Sequence, residues 1–101
     1  MALEAQLSAD EKTLVVRMDE KFDFGKVQDF RAAYTGIPDS VKTIEVDLAE
    51  TEYMDSSALG MLLNMQKVLK GRVSNYRITH SRPQVLKILT ISRFDKKFQI
   101  E

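Results

Sequence analysis

The amino-acid sequence predicts a small α/β domain in which a mixed sheet of four to five strands is packed against about four helices. Two patterns predict this class. Several short segments alternate apolar and polar residues, as half-buried strands do, and the segments between them carry apolar residues at helical spacing. The chain has 101 residues and contains no repeat or linker-like stretch, so we expect one domain over 1–101.

Five segments have the composition of strands. The clearest is 43–48, where Ile44, Val46 and Leu48 alternate with polar residues. Segment 13–18 is apolar and β-branched, and a weaker strand over 3–7 precedes it across a polar turn. We therefore expect an antiparallel hairpin at the start of the sheet. Segment 73–79 is a strand diluted by polar residues, and 98–100 can add a short final edge.

Three of the helices can be placed along the chain. Asp23 can cap a helix over 24–35, which ends where glycine and proline follow. A second helix over 56–70 is the clearest and ends at Gly71. A third begins at 81–84, which reads Ser-Arg-Pro-Gln and predicts a capping box with proline in the first turn.

Composition excludes several classes of function. Fifteen basic residues balance fifteen acidic ones, so no bulk charge attracts a nucleic acid or a membrane surface, and we expect neither as a partner. The chain has no cysteine and one histidine, His80, which we expect in a loop. We accordingly predict no metal, no cofactor and no enzymatic activity. No signal peptide or membrane-length apolar run is present, so a cytoplasmic location is expected.

The most informative stretch is 53–63, where an acidic residue and two serines precede a helix. Asp55 and Ser56 are residue types that cap helices, because their side-chain oxygens accept hydrogen bonds from the unpaired amides of the first turn. Capping alone is a sufficient explanation for this pattern in most proteins. Asp23 has the same simple explanation, and a catalytic or magnesium-binding pair of Asp23 and Asp55 lacks any third ligand.

Helical periodicity divides the second helix into two sides. The stripe expected to pack on the sheet consists of Ala58, Met61, Leu62, Met65, Val68 and Leu69. Leu59 and Leu63 fall on the opposite side with Ser56, Gly60 and Lys67, while Ser57 lies between the two. Single exposed leucines are common on protein surfaces. Two of them grouped beside Ser56 predict a small binding surface.

The segment 54–60, Met-Asp-Ser-Ser-Ala-Leu-Gly, resembles the signature of bacterial anti-sigma factor antagonists, which are single-domain STAS proteins. Their motif is Asp-Ser-Ser/Thr-Gly-Leu-Gly at the start of the second main helix. Phe22-Asp23 resembles the turn before the family's first helix, and 81–85 resembles the segment that opens its third. Because these features follow the family's order over nearly the whole chain, the resemblance implies the STAS fold.

The resemblance also implies a mechanism in which the protein is a substrate rather than an enzyme. A partner anti-sigma factor or serine kinase, or a response-regulator protein with these activities, phosphorylates the first serine of the motif. That serine is Ser56 here, with Ser57 as the alternative. Phosphorylation releases the partner, and a metal-dependent serine phosphatase restores the binding form. The partner-binding residues implied together by motif and helix face are Asp23, Met54, Asp55, Ser56, Ser57, Leu59, Gly60 and Leu63.

Two alternative functions remain open, and the sequence departs from the family's motif at one position. The chain can instead be a STAS adaptor subunit of a transport or regulatory complex, without a phosphorylation cycle. A small hydrolase that uses Asp55, Ser56 and His80 is the other alternative. Ala58 stands where the family most often has glycine. This departure bears on the identity of the partner more than on the phosphorylation switch. Two basic clusters, 67–72 and 93–97, are explained as solvated helix ends.

Overall fold

The structure, a computed structural model, describes residues 3–101 and contains seven strands. They are β1 Glu4–Leu7, β2 Thr13–Arg17, β3 Lys21–Phe22, β4 Thr43–Asp47, β5 Tyr53–Met54, β6 Asn75–Thr79 and β7 Gln99–Ile100. Five of them form the main sheet in the order β1-β2-β4-β6-β7. β1 pairs antiparallel with β2, and the other neighbours are parallel. The predicted mixed sheet with its N-terminal hairpin is confirmed.

Three α-helices connect the parallel strands: α1 Val27–Tyr34, α2 Ser56–Leu69 and α3 Pro83–Ile91. Two 3₁₀ turns, Phe24–Lys26 and Phe94–Lys96, bring the number of helical segments to five in residues 3–101. The predicted helix over 24–35 is therefore a 3₁₀ turn followed by α1. Within the described residues, none of the helices is long and apolar enough to cross a membrane.

The core lies on one face of the main sheet, beneath the helices. Alternate residues of the central strands, such as Val16, Val46 and Ile78, are fully buried there. The opposite face carries polar side chains, among them Arg17 and Glu45, and no helix within residues 3–101 covers it. This alternation is the period-two pattern from which the strands were predicted.

The start of α3 differs from the prediction. Arg82, rather than Ser81, is the N-cap, and no side chain accepts a capping hydrogen bond. The Ser81 hydroxyl is buried without a hydrogen-bond partner among the described residues. Pro83 occupies the first helical position, where its missing N–H leaves no donor unpaired. Proline therefore begins this helix without the predicted capping box.

The predicted inward stripe of α2 is correct except at one position. Five of its six residues are buried, but Val68 is 54% exposed. Val68 lies at the edge of the stripe, on the side that faces α1 in the earlier turns. α1 has 8 residues and α2 has 14, so the last turn of α2 extends past the end of its neighbour. Nothing in α1 is left to cover Val68.

A second, two-stranded sheet joins β3 to β5 in parallel and was not predicted. Phe22 pairs with Met54 in this ladder, and the Asp55 amide donates to the Phe22 carbonyl at 3.4 Å. The buried Thr51 hydroxyl donates to the Asp19 carbonyl at 2.9 Å and so ties together the loops that lead into the two strands. This short ladder positions the starts of α1 and α2.

Candidate functional site

Two aspartates stand next to each other in the fold because each follows a strand of the β3–β5 ladder. Asp23 follows Phe22, and Asp55 follows Met54, the residue paired with Phe22. Each aspartate then begins a helical segment, since Asp23 is the N-cap of the 3₁₀ turn and Asp55 is the N-cap of α2. The ladder therefore brings two capped helical N-termini together at one edge of the molecule.

Both carboxylates accept hydrogen bonds from backbone amides of the turns that they cap. Asp23 Oδ1 accepts from the Gly25 amide at 3.0 Å, and Asp55 Oδ1 accepts from the Ala58 amide at 3.2 Å. A side chain at Gly25 would place its Cβ 3.1 Å from Asp23 Oδ1, a tight contact that favours a residue without one. The capping roles predicted for both aspartates are confirmed.

The two serines of the motif have different surroundings. Ser56 is the first residue of α2 and is exposed, and its hydroxyl makes no hydrogen bond within residues 3–101. Ser57 is half-buried and lines a groove between α1 and α2 with a volume of about 270 Å³. Ser56 therefore presents a free hydroxyl to solvent, while Ser57 faces the neighbouring helix.

The groove between the helices has an apolar floor and a polar rim. α1 contributes Phe30, Tyr34 and the cationic Arg31, and α2 contributes Met61 and Asn64 beside Ser57 and Gly60. Ser57, Met61 and Asn64 follow one another at spacings of four and three, so they form a continuous row along the helix, with Gly60 beside it. The groove begins beside Ser57 and runs away from the two aspartates.

The outward side of α2 is only partly as predicted. Leu63 is 38% exposed and Gly60 is exposed, as expected. Leu59 is half-buried and packs against the core, so less of its side chain is available than the periodicity indicates. Met54 is 4% exposed, which contradicts a direct side-chain contact with a partner. Its position in the β3–β5 ladder directs its side chain into the core beside Phe22.

An exposed aromatic residue beside Asp23 was missed by the sequence reasoning. Phe24 is 74% exposed, and Val27 one turn later is 41% exposed. Aromatic residues dominate the binding energy of many protein interfaces, so an exposed Phe24 beside two caps belongs to the candidate surface. No pattern in the sequence predicts this exposure, because it depends on the 3₁₀ turn and on the segments that cover Phe24 in the fold.

His80 contacts Asp47 and not the motif serine Ser56. It has left-handed backbone geometry (φ 60°) after β6, in the loop position predicted for it. Its Nδ1 is 3.2 Å from Asp47 Oδ1, and no hydrogen bond joins it to Ser56 among the described residues. The contacts of a hydrolytic Asp55–Ser56–His80 arrangement are therefore not formed.

His80, Glu45 and Asp47 together form the one group of three potential metal ligands found in residues 3–101. Both carboxylates already have cationic partners. Arg17 Nε is 3.6 Å from Asp47 Oδ2, and Arg77 Nη1 is 3.4 Å from Glu45 Oε1. The group is best described as part of a charge network on the uncovered face of the sheet.

Comparison with known proteins places these features in a family. Residues 5–100 match the family described as "Mlab, STAS domain". A STAS-domain containing protein of Pseudomonas aeruginosa (strain UCBPP-PA14) is 41% identical over 100 residues, which cover 99% of this chain and 99% of that protein.

Solved structures share the fold at lower identity. An anti-sigma-factor antagonist (STAS) domain protein from Planctomyces limnophilus is 16% identical, with a TM-score of 0.81 over 100% of this chain and 90% of its own. The Bacillus cell fate determinant SpoIIAA in its phosphorylated form is 21% identical, with a TM-score of 0.71 over 99% of this chain and 91% of its own. The fold implied by the sequence resemblance is confirmed.

Proposed function

Because the chain belongs to the STAS domain family, we propose that it is a partner-binding protein controlled by phosphorylation of Ser56. The unphosphorylated form binds an anti-sigma factor/serine kinase or a related regulator, and the phosphorylated form releases it. A metal-dependent serine phosphatase, separate or within a response-regulator protein, restores the binding form. The observation that carries this proposal is the exposed hydroxyl of Ser56 at the start of α2, directly after the capping residue Asp55.

Exposure supports Ser56 as the acceptor in preference to Ser57. A kinase must reach the serine hydroxyl and place it in line with the γ-phosphate of ATP. Ser56 is exposed, whereas Ser57 is half-buried against the groove beside α1. Phosphorylation of Ser57 would require the kinase to enter that groove or the helix to open.

The fold should tolerate a phosphate at this position. Ser56 is the first residue of a helix, where the amide dipoles favour negative charge. The inward residues of α2 begin with Ala58 and are untouched by a group on the exposed side. We therefore expect the phosphorylated domain to keep its structure.

The same phosphate should oppose partner binding. A phosphoserine carries about −1.5 to −2 charges, which would be added beside the carboxylates of Asp23 and Asp55. The nearby apolar surface of Phe24, Val27 and Leu63 gains binding energy only when water is excluded from it. Excluding water from a dianion next to two carboxylates costs free energy, so the complex should dissociate while the domain stays folded.

Site mapping tests the proposal. The purified chain is incubated with ATP, magnesium and the serine kinases encoded by its host, and phosphorylated peptides are then identified by mass spectrometry. We expect one phosphate on the wild type and on Ser57→Ala, the matched control, and none on Ser56→Ala. Phosphate at Ser57 in the Ser56→Ala protein would refute the assignment of the acceptor.

Failure of every kinase to phosphorylate the chain would favour the alternative of a STAS adaptor without a phosphorylation cycle. In that case the Ser56→Asp and wild-type proteins should bind the same partner equally well.

A further inference from the structure

The outward side of α2 leads away from Ser56 into a second groove, which we call the lysine groove. It has a volume of about 550 Å³. It is lined by three lysines, Lys67, Lys70 and Lys97, and by the apolar or aromatic side chains of Leu63, Val73 and Tyr76. Ser56, Leu63 and Lys67 lie on one side of α2 because their spacings of seven and four keep the same helical direction, and Lys70 follows directly after the helix.

The fold joins here two basic clusters that are separate in the sequence. Lys67 and Lys70 come from the end of α2, and Lys97 follows the second 3₁₀ turn. The Gln66 side-chain amide donates to the Lys97 carbonyl at 2.5 Å, which holds that segment against the helix. Gly71 (φ 87°) turns the chain directly after α2 and allows Val73 to enter the floor. The juxtaposition is therefore held by specific contacts.

The three lysines of the groove are not paired with a carboxylate in the part of the chain that the structure describes. None of the three forms an ion pair within residues 3–101, whereas Arg17, Lys26, Arg72 and Arg77 do. No aspartate or glutamate lines the groove. The hydroxyl of Tyr76 already donates to the Val73 carbonyl at 3.3 Å, and partial burial raises its pKa, so it adds no negative charge. The rim is thus a set of cationic donors around an apolar floor.

Solvation of helix ends explains only part of this arrangement. Lysines in the last turn of a helix interact favourably with its dipole, which accounts for Lys67 and Lys70. It does not account for Lys97, which comes from another segment. Nor does it account for Leu63, which is 38% exposed between the lysines and Ser56. An occupant that brings both negative charge and apolar surface would explain all four residues.

We propose that the lysine groove binds an acidic polypeptide segment of the partner, one that carries an apolar side chain between carboxylates. This inference rests on the proposed function, because the groove continues the surface on which Ser56 lies. The lysines have three donors each and no acceptor, so carboxylates complement them, while Leu63, Val73 and Tyr76 receive the apolar side chain.

A peptide fits the groove better than a compact phosphate ligand. The groove lies beside the C-terminal half of α2, whose free carbonyls carry a partial negative charge and oppose a concentrated dianion. Carboxylates spaced along an extended segment can reach both Lys67 of α2 and Lys97 of the segment after the second 3₁₀ turn.

A titration of the unphosphorylated full chain tests this inference without a kinase. Amide chemical shifts are followed while a capped peptide of alternating Glu and Leu is added, with a Gln/Leu peptide, ATP and phosphatidylglycerol vesicles as separate arms. We expect shifts centred on Leu63, Lys67 and Lys97 with the acidic peptide and weakening of binding as salt increases. The Lys67→Glu/Lys97→Glu variant should bind the acidic peptide at least about tenfold more weakly than the wild type. The control variant Lys87→Glu, on the exposed side of α3, should bind it like the wild type.

Three results would overturn the inference: equal binding of the Gln/Leu peptide, binding only of ATP or of vesicles, or unchanged affinity in the double variant. The outcome is separable from that of the proposed function. Phosphate mapping on the double variant should still find Ser56 modified, so a failed titration leaves the phosphorylation proposal standing. An unmodified Ser56 together with successful titration would leave the groove as a partner site without a switch.

Discussion

The two sides of α2 differ in what they contribute to the molecule. On the inward side, Ala58, Leu62 and Met65 are completely buried against the sheet. On the outward side, Ser56 and Lys67 are exposed and Leu63 is 38% exposed. The inward residues are explained by the core of this chain alone. The outward residues have no such explanation, so they are the ones for which contact with another molecule is a reasonable inference.

Adjacent leucines provide the strongest test of this difference. Leu62→Ala removes a fully buried side chain and should lower the free energy of unfolding by about 2–5 kcal/mol. Leu63→Ala removes a partly exposed one and should lower it by less than about 1 kcal/mol. Urea unfolding followed by circular dichroism measures both values.

Partner binding should reverse the order of these effects. The folded fraction of Leu62→Ala is expected to bind normally, and Leu63→Ala is expected to bind weakly. Similar losses of stability in the two variants would show that the two sides of α2 are not distinct.

Asp55 is the N-cap of α2, where the inward and outward sides of the helix meet. The stabilisation from its capping hydrogen bond can be measured separately from that of its charge. Asp55→Ala loses the hydrogen bond to the Ala58 amide and should lower stability by about 1 kcal/mol. Asp55→Asn keeps an acceptor and is the matched control, so most of the stability should be retained. Thermal unfolding of the two variants makes the comparison. An equal loss in both would mean that charge, not capping, is the contribution of this residue.

Substitution of Gly60 tests whether the outward side of α2 packs against other parts of the chain. A Cβ at this position meets no atom within 4 Å, and the residue is exposed. Gly60→Ala should therefore stabilise the protein by about 0.5–1 kcal/mol, because glycine is costly within a helix. Gly71→Ala, at a φ of 87°, should destabilise it. A destabilised Gly60→Ala protein in denaturant titration would contradict the description of this side as open.

The smallest change in stability is expected from removing the ion pair between Arg77 and Glu101. This change shows how little an exposed contact within the chain contributes. Arg77 Nε donates to Glu101 Oε2 at 2.8 Å, and this bond holds the pKa of Glu101 below its usual 4.5. A lowered folded-state pKa means that the stabilisation is present above the unfolded pKa and is lost as pH falls through the folded one. Wild type and Glu101→Gln should differ slightly in melting temperature at neutral pH and converge as the pH falls through the lowered pKa of Glu101. A difference that grows in acid would contradict this sign.

The sequence was sufficient to predict the main sheet and the caps because both depend on local patterns. Alternation in 43–48 reflects one buried face, and Asp23 and Asp55 act on amides two or three residues away. The β3–β5 ladder could not be predicted, because two-residue strands have no measurable period. Its contacts depend on loops that meet only in the folded chain, as the Thr51 bond to Asp19 illustrates.

The candidate site was predicted in part for the same reason. The exposure of Ser56 and Leu63 follows from helical periodicity, which is a local property. The burial of Met54 and the exposure of Phe24 depend on which segments cover them, and the sequence does not state this. The lysine groove was missed because Lys97 meets Lys67 and Lys70 only through tertiary packing.

The central claim is that negative charge at Ser56 releases a partner without unfolding the domain. The most direct measurement is the affinity of one identified partner for wild type, Ser56→Ala and Ser56→Asp, with folding of each protein verified by its melting temperature. We predict that Ser56→Ala binds like the unphosphorylated wild type and that Ser56→Asp loses binding at an unchanged melting temperature. Equal affinity of all three folded proteins would contradict the account.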